Sequence, residues 1–328
     1  RQPMAEGNWP EAIQRWERVL DQFGPTSSWS AYRGLIVSYT NAGDLGAAEA
    51  VAARSREVFP ESVELADAWA ELPMAAEDWH GSIDRWNLVI DSFGPTASWR
   101  PYAGLATCYE QLGDVDAAVA AAEQGRELFP DAIDAVSTWA QMAMVEENWT
   151  EAVKRWTEVL DRFEPVALWK AYLRLAVSQG KLGDTAAAEV SLERGLARYP
   201  ESLTLISHAA ELAMARRDWI LAVRRWNGVL RARAVYAPGP LVRTSFPRRG
   251  SQWDWHEDGW QAIAREWEQI EPELGFQPSP LLYRALAMTM EKAVLPAAAI
   301  DMLRAGSAAH PNDHTLAFDL AVAGLEYH

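Results

Sequence analysis

Trp9, Trp79, Trp149 and Trp219 stand 70 residues apart, and each opens a version of one word: WPEAIQRWERVLD, WHGSIDRWNLVID, WTEAVKRWTEVLD and WILAVRRWNGVLR. Self-similarity at a fixed period constrains the fold more than any other feature of this chain. Each copy is a supersecondary unit that cannot bury its apolar face alone, so copies must stack on one another. The period predicts a core that runs from unit to unit. Length therefore does not set a domain count, although 328 residues with 49% hydrophobic content can bury a long core.

The 70-residue unit divides again. Residues 29–62 carry Tyr32, Leu35, Tyr39, Gly43-Asp44, Ala48 and Pro60. Residues 99–132 repeat these as Tyr102, Leu105, Tyr109, Gly113-Asp114, Ala118 and Pro130, and residues 169–202 as Tyr172, Leu175, Gly183-Asp184, Ala188 and Pro200, with Gln179 where a Tyr stood. The apolar residues of Y-x2-L-x3-Y fall on one face of a helix. The Gly-Asp pair closes that helix and opens the next, and Phe59-Pro60 ends the second. No alternating strand pattern competes. The word resembles the tetratricopeptide repeat, a helix–turn–helix of about 34 residues. The intervening halves, 63–98, 133–168 and 203–236, diverge more and place Trp79/Trp86, Trp149/Trp156 and Trp219/Trp226 in their second helices. The resemblance implies an all-α, right-handed superhelical α-solenoid of tetratricopeptide-like helix hairpins.

The paired Trp residues are seven apart, hence on one side of one helix. They could stack a ligand or knit helices together; their match to the family's packing positions favours core. Trp86 and Trp156 are expected to be buried between helices. Met74, Met144 and Met214 also recur at the 70-residue period, as packing or as an adaptable apolar stripe.

The organisation expected is an array over 1–236, a non-repeating insertion over 237–258 and further helices over 259–328. Pro3-Met4 before Trp9 aligns with Pro73-Met74 before Trp79, so the first hairpin is expected to begin before residue 1. The insertion holds Pro238, Gly239, Pro240, Pro247 and Gly250, which exclude a continuous helix. It also holds Arg243, Arg248 and Arg249, with no acid from Arg231 to Gly250. This basic stretch reads either as a binding loop for an anionic group or as an ordered segment laid against the acidic array. Trp253, Trp255 and Trp260 with His256, Glu257 and Asp258 fit no metal spacing. Residues 259–274 read as one helix and 280–313 as a restored hairpin. Residues 314–328 read as a last helix whose apolar LAFDLAVAGL leaves room for a continuing array or a neighbouring domain.

Thirty Lys and Arg against 46 Asp and Glu give a net charge of −16. That disfavours nucleic acid and anionic membranes and leaves room for basic peptides. One cysteine, Cys108, cannot staple the chain, and no apolar run approaches a membrane span. The motifs of catalysis are missing from the sequence: there is no phosphate loop, no H-E-x-x-H, no C-x-x-C and no nucleophile elbow. No catalytic residue, metal ligand or cofactor is assigned. His310 and His314 are four apart but separated by Pro311, and each histidine reads as an isolated surface residue. The acids before each recurrent Trp, such as Glu77-Asp78 and Glu146-Glu147, read as solvated turn residues.

The family resemblance implies that the first helices of successive repeats line a concave groove. Counting that face gives Arg33, Asn41, Asp67, Glu71, Arg100, Glu110, Gln111, Gln141, Lys181 and Glu211 as groove-binding candidates, with Val37, Thr40, Met74 and Thr107 among them. Acids stand where a Lys/Asn set would clamp a chaperone's C-terminal carboxylate, so a protein segment bearing basic residues is the expected partner. Two function classes follow. One is a non-catalytic interaction scaffold. The other is the non-catalytic arm of a glycan-related transferase or exopolysaccharide-export assembly, with a glycan-related partner, for which Trp29, Trp99 and Trp169 would have to be accessible.

Overall fold

The computed structural model describes residues 8–24, 26, 28–164, 166–236, 262–292 and 296–326, and among these there is no strand. The insertion expected over 237–258 lies outside them. The chain forms two compact units, 1–167 and 168–328, a division inside the repeated array.

The first unit contains α1 (Trp9–Phe23), α2 (Trp29–Ala42), α3 (Leu45–Val58), α4 (Val63–Ala75), α5 (Trp79–Phe93), α6 (Arg100–Gln111), α7 (Val115–Leu128), α8 (Ile133–Val145) and α9 (Trp149–Phe163). Each helix packs on the one before and the one after, and α2, α4, α6 and α8 also pack side by side. The second unit holds α10 (Trp169–Lys181), α11 (Thr185–Arg198), α12 (Leu203–Ala215), α13 (Trp219–Tyr236), a short α14 (Trp267–Ile270), α15 (Pro280–Lys292), α16 (Pro296–Ala309) and α17 (His314–Glu326). Each unit is thus a stack of helix hairpins, the solenoid architecture read from the repeat.

The turns form for the reasons legible in the letters. Gly43 ends α2 with φ of 83°, a left-handed conformation that costs glycine nothing. Asp44 then caps α3, its carboxylate accepting the Ala47 N–H at 2.9 Å. Asp114 and Asp184 repeat the cap on Ala117 and Ala187 at 3.1 and 2.9 Å, and such caps are worth about 1 kcal/mol each. The α4–α5 type of turn is different. Glu77, Glu147 and Arg217 take φ of 58°, 54° and 58° without being glycine, a strained choice for an L residue. The following Asp78, Asn148 and Asp218 cap α5, α9 and α13.

Packing explains why the tryptophans recur. Trp86 and Trp156 are 2% and 4% exposed. Trp16 and Trp86 lie flat on backbone: a Cβ added at Gly34 or Gly104 would sit 2.4 or 2.3 Å from the indole. Gly104→Ala is therefore expected to displace Trp86 and cost about 1–3 kcal/mol, read as a lower urea midpoint; an unchanged midpoint would refute the close packing. Trp156 and Trp226 instead direct their indole N–H at the sulfurs of Met144 and Met214, at 3.3 and 3.1 Å. These two methionines are buried, whereas Met74 is half-buried.

The Arg that precedes Trp86, Trp156 and Trp226 is structural too. Arg85, Arg155 and Arg225 donate to the carbonyls of Trp69, Trp139 and Ala209 at 3.0, 3.0 and 2.8 Å. Aromatic pairs fasten the other halves: Tyr32 on Phe59, Tyr102 on Phe129 and Tyr172 on Tyr199, with centroids 5.9, 6.1 and 6.4 Å apart. In the last hairpin His310 takes that aromatic place against Tyr283 at 6.0 Å, with Nε2 2.6 Å from the Pro278 carbonyl. His310 is thus a packing residue and not an isolated surface histidine. His208, half-buried with Nδ1 2.8 Å from the Thr204 carbonyl, departs from that expectation in the same way.

The segment expected as one helix over 259–274 is broken where the structure describes it. A helical turn at 262–265 precedes α14, and a 3-10 turn spans Glu271–Glu273, because Pro272 has no N–H to donate to a longer helix. Residues 280–313 do form the expected hairpin as α15 and α16. On α17, Leu316 and Ala323 are buried while Phe318 is 67% exposed.

Candidate binding groove

Side-by-side packing of α2, α4 and α6 leaves an open groove of about 610 Å³ within the first unit. From α2 it is lined by Ile36, Val37, Thr40 and Asn41, and from α4 by Ala68, Glu71, Leu72, Met74 and Ala75. Glu77 and Trp79 contribute from the turn and start of α5, and Thr107 and Gln111 from α6. The residues that reach it follow helical spacing, 36/37/40/41 on α2 and 68/71/72/75 on α4, the same face one turn apart. Its floor is apolar, its acids are Glu71 and Glu77, and no Lys or Arg among the described residues lines it. Thr40, Asn41 and Thr107 each donate to a carbonyl one turn back in their own helix, Ile36, Val37 and Ala103, at 2.8, 2.7 and 2.9 Å. These bonds fix the side chains and leave the Thr hydroxyl oxygens and the Asn41 amide oxygen as acceptors for a ligand.

Of the candidates read from the sequence, Asn41, Glu71 and Gln111 come together here, with Val37, Thr40, Met74 and Thr107. Arg33 and Glu110 are half-buried on the same helices but do not line this groove. Asp67 is not a surface acid. It is 4% exposed, one oxygen accepts from the Ser98 hydroxyl at 2.8 Å, and Arg100 Nε lies 3.9 Å away. Burial pushes the Asp67 carboxyl up to about 6 against the opposing pull of Ser98 and Arg100. Arg100 in turn lies over the Trp99 ring, 5.0 Å from its centroid. Gln141 sits half-buried on α8. Lys181 and Glu211 belong to the second unit: Lys181 is exposed, and Glu211 is 5% exposed, its carboxyl pushed up to about 7 by burial. Arg243, Arg248 and Arg249 lie outside the described residues.

Helical counting missed Ile36, Ala68, Leu72, Ala75, Glu77 and Trp79. The first four were hidden by their apolar character, which reads as core. Glu77 was read as a solvated turn acid, and the signal that could have found it is the strained turn that aims it. Trp29 is 39% exposed, and Trp99 and Trp169 are half-buried, so none of these three is enclosed as Trp86 is.

A stack of helix hairpins with an open groove on its first-helix face is a helical-repeat protein. The tetratricopeptide repeat family model matches this chain in three separate segments, residues 4–62, 100–131 and 170–202. Over these three segments the chain carries tetratricopeptide repeats. A comparison with curated proteins returns no match. Among solved structures, a thermophilic tetratricopeptide repeat protein of Thermus thermophilus is 14% identical with a TM-score of 0.49, over 57% of this chain and 100% of that one. PilW, described as a widely conserved type IV pilus biogenesis factor, is 18% identical with a TM-score of 0.49, over 61% and 90%. A tetratricopeptide repeat protein from Parabacteroides merdae is 13% identical with a TM-score of 0.45, over 94% and 99%. The family suggests a protein-interaction scaffold and is generally non-catalytic. No helix among the described residues is long and apolar enough to cross a membrane.

Proposed function

We propose that the first unit is a non-catalytic scaffold that holds a protein segment with basic residues in the groove between α2, α4 and α6. The observation that carries this reading is the lining: an apolar floor of Ile36, Leu72 and Trp79 beside Glu71 and Glu77, with no Lys or Arg among the described residues of the lining. An extended or helical segment can bury an apolar side chain on that floor and set a Lys or Arg against the two acids. Exposed pairs of this kind weaken as salt screens them.

Short labelled peptides carrying an apolar anchor and flanking Lys or Arg, titrated into the whole chain by fluorescence anisotropy, test this. Glu71→Lys together with Glu77→Lys is expected to weaken binding by about tenfold or more while leaving the helical melt in place. Binding untouched by that pair but lost on replacing Arg243, Arg248 and Arg249 would move the site to the insertion and end the groove reading.

A further inference from the structure

Away from the groove, an acid at one register pairs with the Arg of the following hairpin in two copies of the 70-residue unit, Glu49 with Arg85 and Glu189 with Arg225, and the middle copy lacks that acid. Glu49 on α3 accepts the Trp69 indole N–H at 3.2 Å and an Arg85 N–H at 3.0 Å. The guanidinium groups of Arg56 and Arg85 lie 3.9 and 4.5 Å from the Trp69 ring centroid. In the second unit Glu189, at the same register, takes Arg216 and Arg225 at 2.5 and 2.7 Å. On α7, at that register, stands Val119.

The counterparts of the groups around Glu49 are still present, Arg126 at the register of Arg56, Trp139 at that of Trp69 and Arg155 at that of Arg85. Arg126 and Arg155 flank the Trp139 ring at 4.6 and 4.3 Å. Arg155 is held by Glu151 at 2.9 Å and by the Trp139 carbonyl at 3.0 Å. Arg126 is not: its Nε is buried without a hydrogen-bond partner, and among the described residues it forms no ion pair. Nor does the Trp139 indole N–H find an acceptor among them, although its counterpart in Trp69 has Glu49. Glu123 does not fill the gap. It is exposed and makes no ion pair among the described residues, whereas its counterpart Glu193 reaches Arg225 at 3.8 Å.

We propose that the surface of α7 and α8 around Arg126 and Trp139 is a second binding site, which takes the carboxylate of an Asp or Glu side chain from a partner protein. That carboxylate occupies the place that Glu49 and Glu189 fill from within the chain. It accepts the Trp139 indole N–H and pairs with Arg126, a charge-assisted bond to a half-buried guanidinium whose Nε has no partner. The net charge of −16 opposes a polyanion, so a single carboxylate in an otherwise neutral segment is the fitting ligand.

The test uses the whole chain with ¹⁵N-labelled tryptophan, the Trp139 indole resonance being assigned with Trp139→Phe. The probe is an end-blocked peptide with one Glu among Gly and Ala residues, beside its Gln counterpart and inorganic phosphate. The Glu peptide is expected to shift the Trp139 resonance saturably and the Gln peptide not to. Val119→Glu, which supplies the acid in cis, and Arg126→Gln should each weaken the effect by on the order of tenfold or more. If Val119→Glu does not fold, Arg126→Gln decides alone. A Trp139 resonance that stays put, moves equally with the Gln peptide, keeps its affinity in the variants, or responds to phosphate at lower concentration than to the Glu peptide overturns the proposal. Binding of basic peptides in the groove is read on Glu71→Lys and is independent of this result.

Discussion

Trp86→Ala and Trp156→Ala are each expected to lose about 3–5 kcal/mol of stability in urea unfolding. Both indoles are enclosed between helices, at 2% and 4% exposure. Trp86 lies against the bare backbone of Gly104, so its removal opens a void bounded by main chain, which relaxes least. Trp156 adds the loss of its N–H contact to the Met144 sulfur and leaves a cavity beside Val159 and Leu160, both fully buried. A loss below about 1 kcal/mol at either site would contradict this packing.

Glu211→Gln is expected to stabilise the protein at pH 8 by about 2–3 kcal/mol and to flatten its stability between pH 5 and 8. Burial raises the Glu211 carboxyl to about 7, well above its ordinary value near 4.3. The folded chain therefore binds that proton more tightly than the unfolded chain does. Stability from this group is fully present at acid pH, is lost as pH climbs toward about 7, and stays lost above it. Asp67, raised to about 6, acts in the same direction over a lower window. Urea midpoints at pH 5 and pH 8 decide the matter: a wild-type chain equally stable at both, or a variant no more stable than wild type at pH 8, would show that these carboxyls are not desolvated.

Much of this protein was legible before any coordinates. The Gly-Asp turns announced themselves because an αL glycine followed by a side-chain cap is a local device that needs no neighbour. The burial of Trp86 and Trp156 followed from their seven-residue spacing and repeat position. Other features were hidden for equally physical reasons. Glu77, Glu147 and Arg217 hold positive φ although their letters give no sign of it; the surrounding helices impose that turn. Asp67 and Glu211 read as groove acids because helical counting gives a direction from the axis and not the depth of cover, which depends on the neighbouring side chains. His310 read as a surface residue because nothing local links it to Tyr283, 27 positions earlier.

What the sequence alone determined is what repeats: hairpin after hairpin, their caps and the identity of the knitting aromatics, since these depend on helical period and on contacts within a unit or to the next. Tertiary structure decided what differs between copies. Only the side-by-side packing of α2, α4 and α6 selected which polar residues meet in one groove, and only the packing of α7, α8 and α9 showed the Arg126 Nε left without a partner in the copy where Val119 replaces the acid. Such features depend on the distance between side chains from separate helices, and a periodic sequence records the register of those helices but not how far their side chains reach.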